Sequence, residues 1–122
     1  MVLQLIDDNF CVCKINSVEQ VNLLSDFFFF AKTDGETSLV CKEQDVPKDC
    51  QNTSGIWRAM RVVGTLDFAL VGILSRIASI LAKADVPIFA VSTFDTDYIL
   101  VKENYIDKAI GTLKENGYIF VD

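Results

Sequence analysis

In FDTDYILVK, residues 94–102, the carboxylates Asp95 and Asp97 lie one residue apart beside Phe94 and Tyr98 and lead directly into an apolar run. Carboxylates so placed can act as acid and base, ligate a metal, hook a cationic ligand, or serve as turn residues bonded to their own backbone. Acid-pair hydrolysis needs an apposed partner, and neither that nor a nucleophile–base pair accompanies them. The chain has no histidine, which removes the commonest general base and triads of the Ser-His-Asp type. Cys11, Cys13, Cys41 and Cys50 are the other reactive candidates. No histidine can activate a catalytic cysteine, and without a CxxC pair no metal is expected. Cys11 and Cys13 flank Val12 in a strand-like run, which puts both on one face, and all four read as reduced, mostly buried thiols. No catalytic residue and no cofactor is expected. A cation hook suits both acids, since a carboxylate bonds an ammonium or guanidinium more strongly than a neutral acceptor does. Beside it, Asp95 also reads as a plain turn residue, whereas Asp97 starts a returning strand, where aspartate is disfavoured.

The 122 residues, 51% hydrophobic and 23% charged, fit an ordered globular domain. A net charge of −6 with no run of Lys or Arg lacks the electrostatic footprint of a nucleic-acid binder. The longest apolar stretches, 27–31 and 68–74, fall far short of the ~20 residues that span a bilayer. Asp7 and Asp8 interrupt the start before any apolar core of a signal peptide can form, so a cytoplasmic protein without membrane association is expected.

Residues 57–63 read as a strand that Gly64 breaks. From 68 to 84, Leu70, Leu74, Ile77, Leu81 and Ala84 form the stripe of an amphipathic helix, with Thr65 or Asp67 as its cap and Pro87 beyond its end. Gly72 falls inside that helix, where it costs roughly 1 kcal/mol relative to Ala and implies a close approach. Residues 88–93 and 97–102 form a hairpin. A second helix opens at Asn104, buries Ile106, Ala109, Ile110 and Leu113, and closes at Asn116-Gly117 before a last strand, 118–121. The order β-α-β-β-α-β gives an α+β, ferredoxin-like layer with an antiparallel sheet and both helices on one face.

The first half reads as a worn copy of the second. Shifted by sixty positions without a gap, FFAKTDGETSLVCKE (29–43) lies over FAVSTFDTDYILVKE (89–103), with Lys32 over Ser92 and Thr37 over Asp97. The first hairpin turns at Asp34-Gly35, 10–15 is the counterpart of 58–63, 18–24 a shortened helix, and 45–55 a loop in place of the second helix. The expected organisation is therefore two tandem ferredoxin-like repeats, a truncated one at 1–56 and a complete one at 57–122. Trp57 packs at the joint. Phe27 to Phe30 alternate faces, so two rings face away from the core and point to pairing with another sheet or subunit.

The segment LDFALVGILSRIASILAKADVPIFAVSTFDTDYILVKE, residues 66–103, resembles the ACT family of small regulatory ligand-binding domains, in particular short bacterial tandem-ACT proteins. The hairpin is similar to those of aspartokinase regulatory regions and of animal cytosolic arginine sensors. The resemblance implies a non-catalytic regulatory domain that binds an amino acid between the first strand–helix loop and the second hairpin. Carried over by position, the contacts are Gly64, Thr65, Leu66 and Asp67 on the loop and Ser92, Thr93, Phe94 and Asp97 on the hairpin, with Asp97 holding the basic part of the ligand. A homodimer and an unidentified regulated protein are the implied partners. The physics agrees: unpaired N–H groups at 66–69 suit the ligand carboxylate, and the two acids suit its cation. The competing expectation is a protein-interaction or dimerisation module of the same fold without a ligand.

Overall fold

A computed structural model of the chain describes residues 1–64 and 72–121. In chain order the elements are β1 (Val2–Leu5), β2 (Phe10–Lys14), β3 (Phe28–Lys32), β4 (Thr37–Lys42), β5 (Asn52–Val62), α1 (Ile73–Lys83), β6 (Phe89–Ser92), β7 (Asp97–Lys102), α2 (Ile106–Glu115) and β8 (Ile119–Val121). Single 3-10 turns occupy Val18–Gln20, Glu43–Asp45 and Glu103–Tyr105. The fold is mixed α+β. Residues 1–7 and 58–122 form one compact unit and residues 8–57 the other, with β5 contributing to both.

In the larger unit the strands run β8-β1-β5-β7-β6. β1, for which the sequence offers no signal, pairs antiparallel with β5 (Leu3↔Val62) and parallel with β8 (Val2↔Ile119). Among the described residues the expected four strands are thus five, the sheet is mixed and not antiparallel throughout as expected, and residues 1–7 group with the second half of the chain. One alternating set of strand residues, including Leu3, Met60, Val62, Ile99 and Val101, meets Ile77 and Leu81 of α1 and Ala109 and Leu113 of α2 in one core. Each such large side chain contributes roughly 1.5–3 kcal/mol when fully buried.

The start of α1 differs from the expected helix over 68–84. Gly72 has φ +82° and caps a helix that begins at Ile73. Among the described residues a Cβ there would meet nothing within 4 Å, and the left-handed backbone is what this glycine serves. The expected caps Thr65 and Asp67, and Leu70 of the stripe, lie outside the described residues. The helix ends as its sequence implies: Asp85 takes φ +60°, and Val86 N donates back to Leu81 O at 2.9 Å. At the end of α2, Gly117 has φ +92° and Tyr118 N donates to Leu113 O at 3.1 Å, the Schellman pattern.

In the smaller unit β3, β4, β2 and β5 pair antiparallel in that order. Cys11, Cys13, Ile15, Val21, Leu39 and Cys41 form its core, and all four cysteines are free thiols. Burial pushes the Cys41 and Cys11 thiols up, with the neighbouring Cys13 adding to both. Two expectations need correction. The loop expected over 45–55 ends at Gln51, because Asn52 to Gly55 pair with Lys14 to Cys11 as the first half of β5. Gly55 is what permits this approach: a Cβ there would lie 2.7 Å from Cys11 Sγ. The short helix over 18–24 is one 3-10 turn, closed by a Ser17–Gln20 capping box. Beyond it Asn22 Oδ1 accepts from Leu24 N at 3.2 Å, a local bond that competes with helix. Of the phenylalanine tract none is fully buried; Phe28 packs on the cysteine core, while Phe27 stacks with Phe10 and Phe29.

The two hairpins are built alike. β4 and β7 each span six residues with three buried near their ends, Leu39-Val40-Cys41 and Ile99-Leu100-Val101. Lys42 (φ −61°, ψ 149°) and Lys102 (φ −63°, ψ 148°) each lead into a 3-10 turn. Thr33 N donates to Glu36 O and Thr93 N to Thr96 O, both at 2.9 Å.

Candidate functional site

The β6–β7 hairpin owes its shape to three hydroxyls. Ser92 and Asp97 are its closing cross-strand pair, and Ser92 Oγ donates to Asp97 Oδ1 at 2.6 Å. Thr93 Oγ1 donates to Thr96 O at 3.0 Å and accepts from Thr96 N at 3.4 Å, which closes the tip without a glycine. Thr96, only 6% exposed, donates from Oγ1 to Val62 O at 2.6 Å. That bond ties the tip to the end of β5, two residues before Gly64.

Of the eight residues expected at the site, the structure gathers Ser92, Thr93, Phe94 and Asp97 on this tip, with Gly64 beside it in the chain region that Thr96 anchors. Gly64 has φ +102° and, among the described residues, no atom within 4 Å of where a Cβ would be, so its left-handed backbone turns the chain out of β5. Thr65, Leu66 and Asp67, and with them the expected donors at 66–69, lie outside the described residues. Phe94 is 80% exposed at the tip. Asp97 is half-buried, and among the described residues only Ser92 bonds its carboxylate. The tip therefore presents an anionic acceptor, two hydroxyls and an aromatic face, which together suit a cation: charge-assisted hydrogen bonds to the acid and ring stacking from Phe94.

Sequence reasoning missed Thr96, since a threonine in a turn reads as a polar tip residue. It also missed the ladder on the face of the sheet away from the helices. There Arg61 donates to Gln4 Oε1 at 2.8 Å and to Tyr98 OH at 3.3 Å, with its guanidinium 5.7 Å from the Tyr98 ring centre. This arginine braces β1, β5 and β7 next to the hairpin. Its signal in the sequence was that Arg61 and Tyr98 both occupy strand positions next to core residues, Met60 and Val62 for one and Ile99 for the other.

The first turn of α1 opens on a separate cavity of about 370 Å3 lined by Gly72, Ile73, Arg76, Gly117 and Tyr118 among others, and none of the hairpin residues borders it. Among the described residues no group of three or more His, Cys, Asp or Glu side chains is arranged to hold a metal ion. No helix among them is long and apolar enough to cross a membrane.

Comparison with known proteins gives concordant results. A family model described as the ACT domain matches residues 52–115. The human cytosolic arginine sensor for mTORC1 subunit 1 is 36% identical over 95 residues, which cover 72% of this chain and 29% of the sensor. The chain thus spans under a third of the length of the curated relatives it matches. Among solved structures, a protein from Agrobacterium tumefaciens superposes with a TM-score of 0.87 at 25% identity, covering 98% of this chain and 91% of that one. The ligand-free regulatory subunit of aspartate kinase from Thermus thermophilus superposes at 0.63 with 8% identity, covering 93% and 95%, a likeness of fold.

Proposed function

We propose, from the premise that this chain belongs to the ACT-domain family, that it is a non-catalytic regulatory module which binds a free amino acid and passes its occupancy to a partner protein. The observation that carries this reading is the hairpin tip, where the half-buried Asp97 carboxylate meets Ser92 and the buried Thr96 anchor holds the tip beside Gly64. An amino acid carries an anion and a cation a few ångströms apart, so its receptor needs donors facing acceptors. In this reading Asp97, Ser92, Thr93 and Phe94 take the cationic end, and the loop Gly64, Thr65, Leu66 and Asp67 takes the carboxylate through backbone N–H groups. Two relatives favour it: one is named as an arginine sensor and another as a regulatory subunit.

The matched construction of the β3–β4 and β6–β7 hairpins supports a chain of two tandem repeats, a truncated one at 1–56, whose residues 1–7 group with the second, and a complete one at 57–122. A cytoplasmic homodimer that regulates a separate protein is the corresponding biological unit. The alternative is a dimerisation module without a ligand. It is favoured by the exposed apolar residues Ile119, Val121 and Val63, which are 61%, 42% and 43% exposed.

A thermal-shift panel of the twenty amino acids at millimolar concentration separates the two. A ligand at a hundred times its Kd adds about 2.7 kcal/mol, several degrees in Tm for a domain of this size. A rise with one or two amino acids, absent from Asp97→Ala, supports the sensor. A flat panel with concentration-dependent melting supports the dimerisation module.

A further inference from the structure

The smaller unit holds a cavity that the amino-acid site does not use. It measures about 310 Å3 and is lined by Asn16, Ser17, Val18, Phe30, Lys32 and Thr37, near the lower end of the roughly 300–1,000 Å3 typical of ligand sites. Its position has an internal counterpart. Lys32 and Thr37 are the closing pair of the β3–β4 hairpin, as Ser92 and Asp97 are of the β6–β7 hairpin. Asn16 and Ser17 follow β2 as Gly64 follows β5.

The chemistry of the two places is opposite. Where the second hairpin carries Ser92 and Asp97, the first carries Lys32 and Thr37, so an acid has given way to a hydroxyl and a cation has been added. No acidic side chain lines the cavity. The nearby Glu36 carboxylate accepts from Ser38 Oγ at 2.5 Å. The ion pairs of this unit go to Lys42, which meets Asp26 at 2.7 Å and Asp8 at 3.8 Å, and among the described residues Lys32 makes none. Asn16 Oδ1 accepts from Gln51 Nε2, which leaves the Asn16 Nδ2 hydrogens and the Thr37 hydroxyl as donors. The backbone N–H groups of Asn16 and Ser17 are already bonded to Gln20 Oε1, at 2.6 and 3.0 Å, so recognition here falls to side chains. Phe30 and Val18, 36% and 49% exposed, supply apolar walls.

We propose that this cavity is a second ligand site that takes a small acidic amino acid, its side-chain carboxylate held by Lys32 with Thr37 and Asn16 as donors and its methylenes against Phe30 and Val18. The assignment rests on reading the two hairpins as related modules, and its test separates it from the amino-acid site at Asp97. The 15N-labelled full chain is titrated with L-glutamate, inorganic phosphate and L-arginine while its backbone amide spectrum is followed. L-glutamate at millimolar concentration shifts the amides of residues 16–18, 32 and 37. Lys32→Gln raises the apparent Kd at least tenfold, and Lys48→Gln, which removes a lysine outside the cavity, leaves it unchanged. The proposal is overturned if glutamate moves none of these amides, if Lys32→Gln binds as tightly as the parent chain, or if phosphate binds as tightly as glutamate. Shifts confined to residues 92–97 overturn this site and leave the first standing. Shifts at 16–37 from glutamate with none at 92–97 from glutamate or arginine support this site independently of the first.

Discussion

Thr96→Val keeps the volume and β-branching of the side chain and removes one hydroxyl. That hydroxyl donates to Val62 O at 2.6 Å, with Thr96 6% and Val62 0% exposed. Val63 N bonds Val2 O on β1 at 3.0 Å, and in a trans peptide the carbonyl points the opposite way from the N–H. Val62 O is therefore aimed at the β7 side, where Thr96 Oγ1 donates to it. Valine removes that donor from a buried carbonyl, a loss of about 1–3 kcal/mol. With a urea dependence of ~1–3 kcal/mol per molar, a loss of about 1.5 kcal/mol lowers the unfolding midpoint by roughly 0.5–1.5 M. The assay is urea unfolding followed by far-UV circular dichroism, with Thr96→Ser as the control that retains the hydroxyl. Thr96→Val should fall well below both the parent and the serine variant. A valine variant that unfolds with the parent would refute the idea that this bond anchors the hairpin.

Three further outcomes test other parts of the account. Gly55→Ala sets a methyl 2.7 Å from Cys11 Sγ and should destabilise the chain by roughly 1–3 kcal/mol, with Cys11→Ala in that background recovering part of the loss. Additive effects in that double-mutant cycle would contradict the contact. Gly117→Ala forces an L residue to φ +92° and should cost about 1 kcal/mol or more by thermal unfolding, whereas stabilisation would contradict the left-handed cap. Cys50 is the half-buried thiol of the four, and burial first, then the nearby Cys13, pushes its pKa up from the ordinary thiol value. Because the thiolate is the reactive form, its alkylation in the native chain should need a higher pH than alkylation of the same chain unfolded in urea. Equal pH dependence in the two states would show that the fold does not hold the thiol protonated.

The parts of the fold that were legible in the sequence are those fixed by local chemistry. The α2 stripe and its Gly117 closure, the six apolar-rich residues of β7, and the shared face of Cys11 and Cys13 all follow from periodicity or from a backbone that only glycine adopts readily. What was not legible depends on distant partners. β1 is four residues whose strand character comes from Val62 and Ile119 far along the chain. Asn52 to Gly55 are polar and include a glycine, so they read as loop, yet the Cys11–Lys14 edge recruits them. Gly72 lay within a helical stripe, and periodicity does not encode the sign of φ. At the candidate site the sequence named Asp97 and Ser92 as separate ligand contacts, and their bond to one another comes from the strand register. Thr96 escaped it because its role is set by a carbonyl 34 residues earlier in the chain. The sixty-residue shift does not help, since it aligns Thr96 with Glu36.

Whether Asp97 holds the cationic part of an amino acid is read by titration calorimetry on the parent chain and on Asp97→Ala. The parent chain should give saturable heat with the amino acid that raises Tm. Loss of the charge-assisted bonds in Asp97→Ala should remove about 1.5–3 kcal/mol, roughly a ten- to hundredfold rise in Kd, while Asp95→Ala, altered at the neighbouring exposed turn, changes binding far less. An unchanged Kd in Asp97→Ala, or no heat from any of the twenty amino acids, would contradict this role.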